Sequence, residues 1–158
     1  MHTHDAICHV GIDVAKPHLD VASSQTSAVK RFDNEPRGFE KLLDWLPPPD
    51  QCQIVLESTG AYHVELVDFL VERGYAVAVV LPSRVRDFAR GLGWLAKTDT
   101  IDAQLLVRYS QHAEDLVFSE KTSENQRELQ ALVTRRRQLV DLLAQEKNHL
   151  EATHRPKM

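Results

Sequence analysis

The chain of 158 residues is poor in several things, and each shortage removes a class of protein. It has only two cysteines, Cys8 and Cys52, each inside an apolar run and without CxxC spacing, so a disulfide framework and a zinc ribbon are excluded. Both are expected to be buried thiols in a reducing compartment. No stretch approaches the roughly 20 apolar residues of a membrane span, and MHTHDAICHV lacks the charged start and long apolar run of a signal peptide. A cytoplasmic protein with no membrane partner is the expectation. There is no P-loop, GLG is too short for a dinucleotide fingerprint, and the GxSxG elbow is missing. Internal repeats and low-complexity tracts are absent as well.

What remains is ordinary globular composition, 42% hydrophobic and 27% charged, enough for one domain with a real core. The net charge of -4 argues against a general attraction to nucleic acid, yet the charges are segregated. Between Leu81 and Lys97 four bases (Arg84, Arg86, Arg90, Lys97) face one acid, Asp87, and Arg135, Arg136 and Arg137 form a second basic run. Either group can be a phosphate-contacting surface or simply a solvated helix face.

Periodicity gives the order βββαβαβ followed by helices. ICHVGIDVA, LDVASSQ and AVKRFDN alternate as strands joined by short turns. FEKLLDWL has helical spacing and stops at three prolines, QIVLES is a fourth strand, AYHVELVDFLVERG a helix closed by Gly74, and YAVAVVL a fifth strand. Strands separated by helices pair in parallel through right-handed crossovers, so a five-stranded mixed α/β sheet with helices on its faces is expected over residues 7–115. After Pro82 only helices follow. Positions 129, 132, 136, 139, 143, 146 and 150 alternate three and four apart, with leucine at five of them. Residues 122–152 therefore read as one long helical arm, either packed on its own domain or forming a coiled coil with a partner chain.

Four acids stand out. Alternation puts His9, Gly11, Asp13 and Ala15 on one face of the first strand, with small residues beside Asp13 leaving open space above it. Glu57 shares a face with Gln53 and Val55 in the fourth strand. A carboxylate on an apolar strand costs several kcal/mol to desolvate unless it is paired or holds a cation. In KTDTIDAQLL, Asp99 and Asp102 lie three apart at a helix start. Local chemistry explains them as N-cap and first-turn acid, but the same spacing also puts both on nearly one side of the helix. Were that helix to cross the sheet near the strand ends, four carboxylates would converge, and an all-oxygen set favours Mg²⁺ or Mn²⁺. Two such ions about 4 Å apart activate an attacking oxygen and stabilise a leaving one. His9 is expected to be a packed strand histidine and Trp94 an aromatic under a loop. Ser58 and Thr59 are expected to cap the following helix.

The segments VGIDVAKPHLDVA, IVLESTGAY and VRDFARGLGWLAKTDTIDAQLL, in this order, resemble the N-terminal domain of DEDD-type transposases, the insertion-sequence 110 and Piv invertase family. RRRQLVDLLAQEKNHL resembles the helical segment that follows in that family, so the likeness runs from about Val10 to Leu150. It implies a RuvC-like, ribonuclease H-like fold and a catalytic metal-binding tetrad of Asp13, Glu57, Asp99 and Asp102. It also implies DNA strand cleavage and exchange with Mg²⁺ or Mn²⁺, in a group where a noncoding guide RNA bridges target and donor DNA. Family members continue into a second domain with a serine nucleophile, and this chain ends at HRPKM; Ser58 does not match that serine. Two other functions stay open on the residues alone: a stand-alone nuclease or junction resolvase, and a non-catalytic nucleic-acid-binding and dimerisation module that forms a homo-oligomer through the arm.

Overall fold

The computed structural model describes residues 7–57, 61–93, 99–121 and 123–153, with residues 99–102 and scattered positions of the last helix as backbone only. Residues up to Lys121 form one compact unit and those from Thr122 a second.

Alternation in the strands decides the first unit. β1 (Cys8–Val14) turns back into β2 (His18–Ser23), which turns again into β3 (Thr26–Asp33), both pairings antiparallel. Pro36 opens α1 (Pro36–Trp45), where its missing N–H costs nothing, and the helix ends at Leu46 before the prolines. β4 (Cys52–Glu57) then lies parallel to β1. α2 (Val64–Glu72) starts three residues later than the apolar pattern from Ala61 suggests, because residues 61–63 form a turn. It closes as expected at Gly74, whose φ of 85° lets its N–H reach Val71 O while the N–H of Tyr75 reaches Leu70 O. β5 (Ala76–Val80) pairs in parallel with β4.

The resulting order, β3-β2-β1-β4-β5 with β2 reversed, is the topology of the ribonuclease H-like fold. α3 (Pro82–Gly91) and α4 (Asp99–His112) complete the unit. The five strands and the sequence of helices agree with the pattern read from periodicity.

The two sheet faces differ in size of side chain. On one face Val10, Ile12, Leu19, Val21, Ile54, Leu56 and Val77 pack beneath α1 and α2, against Phe39, Leu42, Leu66 and Leu70. Cys8 and Cys52 sit in this core as register partners, and burial, aided by the neighbouring Cys8, pushes the Cys52 thiol up to about 12. They are inert packing residues at neutral pH. The opposite face is smaller in relief. Val55, Ala78 and Val80 meet Leu105, Leu106 and Tyr109, while Ala22 meets Ala103 and Val107.

The position of Gly11 explains that relief. The space above β1 that the sequence leaves open is filled by α4: a side chain at Gly11 would run into the carbonyl oxygen of Ala103 and come within 2.7 Å of the Val107 nitrogen and 2.8 Å of Leu106 Cβ. Backbone cannot yield as a side chain tip can.

α5 (Glu124–Thr153) forms the second unit, 30 residues or about 45 Å of helix. Leu129, Leu132, Leu139, Leu143 and Leu150 are all at least half exposed along it. Among the described residues no helix is long and apolar enough to cross a membrane.

Gly11→Val is expected to destabilise the first unit by about 3 kcal/mol or more, since overpacking here meets backbone. Urea denaturation followed by circular dichroism checks this, and a loss below about 1 kcal/mol would show that α4 is not seated on β1.

Candidate catalytic carboxylate row

Register places the strand acids. Ile12 is the parallel partner of Leu56, so the next step along both strands aligns Asp13 with Glu57 where β1 and β4 end. Across the antiparallel pair Asp13 faces Asp20, and Asp20 in turn faces Arg31. Residues in register on adjacent strands project from one face, with strands about 4.8 Å apart. Arg31, Asp20, Asp13 and Glu57 therefore form a line across four strands.

The direction of α4 follows from its contacts with β1. Ser110 Oγ lies 2.8 Å from His9 Nδ1, and Ala103 and Val107 sit over Gly11. Moving along β1 from His9 towards Asp13 thus moves along α4 from Ser110 back towards its start. The first turn of α4, whose backbone holds Asp99 and Asp102, comes over the end of β1. This is the positive end of the helix dipole, which favours nearby carboxylates. The side chains of Asp99 and Asp102 lie outside the described residues.

Asp20 was not singled out by the sequence. It is only 5% exposed, and Arg31 donates to it through two parallel bonds, Nε to Oδ1 and Nη2 to Oδ2, both 2.7 Å. His18 Nε2 stands 3.7 Å from the same carboxylate. The signal was present in LDVAS, where alternation puts Asp20 and Ala22 together, but only the hairpin register brings Asp20 opposite Asp13.

The donor chemistry of the row suits a hard cation: Asp13 and Glu57 offer oxygen from the ends of neighbouring strands, and α4 brings a further acidic turn. Among the described residues, which do not include the side chains of Asp99 and Asp102, no three His, Cys, Asp or Glu side chains are grouped closely enough to hold a metal ion.

The other sequence candidates are dispersed. Arg84 pairs with Asp115 at 3.1 Å and Arg90 with Asp87 at 2.8 Å, both ion pairs exposed, while Arg86 is exposed on the same helix. Arg135, Arg136 and Arg137 are exposed on α5. Lys97, Trp94, Ser58 and Thr59 lie outside the described residues. His9 is a packed residue: its Nδ1 lies 2.8 Å from Ser110 Oγ, to which Gln53 Nε2 donates at 3.0 Å, and burial lowers the pKa of His9. Burial lowers His63 in the same direction.

A ribonuclease H-like sheet with acids at the ends of its central parallel strands defines a class of nucleic-acid-processing proteins. The sequence matches the transposase family of the DEDD, insertion-sequence 110 type over residues 10–154, and the chain belongs to that family. It is 30% identical over 150 residues to the pilin gene-inverting protein of Moraxella lacunata and 29% identical over 150 residues to that of Moraxella bovis. Each match covers 91% of this chain and 46% of the relative, so the chain spans about half the length of the curated relatives it matches. A solved structure of T. thermophilus RuvC in complex with Holliday junction substrate is a distant likeness, with 16% identity, a TM-score of 0.42, and coverage of 73% of this chain and 86% of that one.

The lowered pKa of His9 has a thermodynamic consequence. Free histidine titrates near 6.5, so below that value the unfolded chain binds more protons than the folded one and stability falls with pH. His9→Gln is expected to reduce the loss of melting temperature between pH 7.5 and pH 5.5; an unchanged loss would show that folding does not lower the pKa of His9.

Proposed function

We propose that this chain is the catalytic N-terminal domain of a DNA transposase or site-specific recombinase, acting by metal-dependent strand cleavage and exchange. The observation that carries this reading is the register that ends β1 and β4 on Asp13 and Glu57 beneath the first turn of α4. In it Asp13, Glu57, Asp99 and Asp102 bind Mg²⁺ or Mn²⁺, two ions in the full site. The bound ions supply an activated attacking oxygen and charge stabilisation for the leaving oxygen of a phosphodiester. The residues themselves hold the cations at the end of the sheet, and α4, locked on Gly11, sets the spacing between the strand pair and the helical pair. Family membership and the inverting activity in the names of the Moraxella relatives support DNA as substrate.

Arg84, Arg86, Arg90 and Lys97 are the proposed phosphate contacts beside the acids, and Arg135, Arg136 and Arg137 those of the arm. A noncoding guide RNA is the proposed second nucleic acid, and the cytoplasm the compartment. Residues 7–115 form the proposed catalytic domain and residues 122–152 the arm. The arm is read as a homo-oligomer contact because its leucine stripe is exposed.

Asp13→Asn and Glu57→Gln are each expected to weaken Mn²⁺ binding by about tenfold or more in isothermal titration with the melting temperature retained. Unchanged binding in both would overturn the metal reading in favour of a non-catalytic binding module. For the arm, sedimentation equilibrium is expected to give a dimer or larger, and Leu139→Glu with Leu143→Glu a monomer. A monomeric parent chain at high concentration would reject the arm as an oligomer contact.

A further inference from the structure

The ion pair of buried Asp20 with exposed Arg31 lies in line with the proposed metal ligands but outside the set assigned to them. We infer that Arg31 is a positioning residue that withdraws Asp20 from metal binding and serves as a fixed counter-charge on the β2 side of the row, confining the cation to the Asp13–Glu57 side. The inference rests on the metal-dependent reading above.

Asp20 is the cross-strand partner of Asp13, and like charges directly opposite on adjacent strands repel. A carboxylate 5% exposed beside a second acid needs a counter-charge, and two sources exist in principle: a mobile cation or a side chain. The structure supplies the side chain. Arg31 engages both oxygens of Asp20 at 2.7 Å in the fork geometry that only arginine offers. With one N–H bond on each oxygen, both oxygens of Asp20 are engaged by β3. His18, whose carbonyl accepts from Ala15 N just past the end of β1, places its Nε2 3.7 Å from Oδ2 of the same carboxylate. The Arg31 side chain is 57% exposed, so its hold on Asp20 depends on geometry more than on enclosure.

Such a pair leaves a signature in metal affinity that a purely structural ion pair does not. Arg31→Met removes one positive charge and frees an extra carboxylate, so Mn²⁺ should bind more tightly, on the order of tenfold at the effective dielectric of a protein surface. Asp20→Asn removes a negative charge and leaves Arg31 beside the site, so Mn²⁺ should bind several-fold more weakly although no ligand has been lost. The double variant restores the charge of the parent and should return close to its affinity.

The test is isothermal titration of Mn²⁺ into the unaltered chain, the two single variants and the double variant, each with its melting temperature in EDTA. Tighter, weaker and restored binding, in that order, supports the inference. Equal affinity in all four overturns it, as does weaker binding in a folded Arg31→Met protein. If Arg31→Met does not fold, Asp20→Asn decides alone: unchanged affinity rejects the counter-charge. Absence of Mn²⁺ binding by the unaltered chain would instead overturn the metal-site reading, an outcome distinct from these.

Discussion

The close approach of α4 to β1 at Gly11 is the constraint on which the rest depends. Helix and strand meet backbone to backbone there, which no residue with a Cβ allows. Small residues on the same sheet face, Ala22 in β2 and Ala78 in β5, keep it low enough for the helix to lie flat, and Ser110 fixes the far end through His9 and Gln53. With three points along the helix tied to the sheet, the position of its first turn is no longer free. The strand acids and the helical acids belong to segments more than forty residues apart in sequence, and this single contact is what relates them.

Asp13 and Asp20, opposite one another on adjacent strands, are a cost in the absence of cations, and two features of the fold offset it. The start of α4 brings the positive end of a helix dipole to the acids. Arg31 neutralises the most enclosed of the strand carboxylates, Asp20, through two short bonds. The opposite face carries the large apolar core under α1 and α2, so the stability of the domain resides away from the polar row. A charged row is tolerated because the other face holds the sheet together.

Much of this was legible from residue order. Period-two alternation in ICHVGIDVA correctly separated the core residues Val10 and Ile12 from Gly11 and Asp13, and the turn residues and prolines marked the helices. Less legible was everything that depends on pairing. Nothing local to LDVAS says that Asp20 will sit opposite Asp13, because that register is set by the length of the turn at Ala15–Pro17 and by hydrogen bonds such as Ala15 N to His18 O. Nor does the glycine in VGID announce a helix above it; a small residue reads as empty space until the element that fills it is placed. For Asp99 and Asp102, cap and ligand demand the same residue type at the same place, so local sequence cannot separate them. The leucine spacing of α5 fixes a stripe but not its occupant, since the same pattern suits an intramolecular and an intermolecular partner.

The most direct test is where a divalent ion binds. Crystals of this chain soaked with Mn²⁺ should show anomalous density between Asp13 and Glu57, with oxygen from Asp99 or Asp102 among the ligands and Asp20 still paired with Arg31. Density elsewhere, or an ion held by the strand acids with the first turn of α4 turned away, would contradict the assembly of the site by α4.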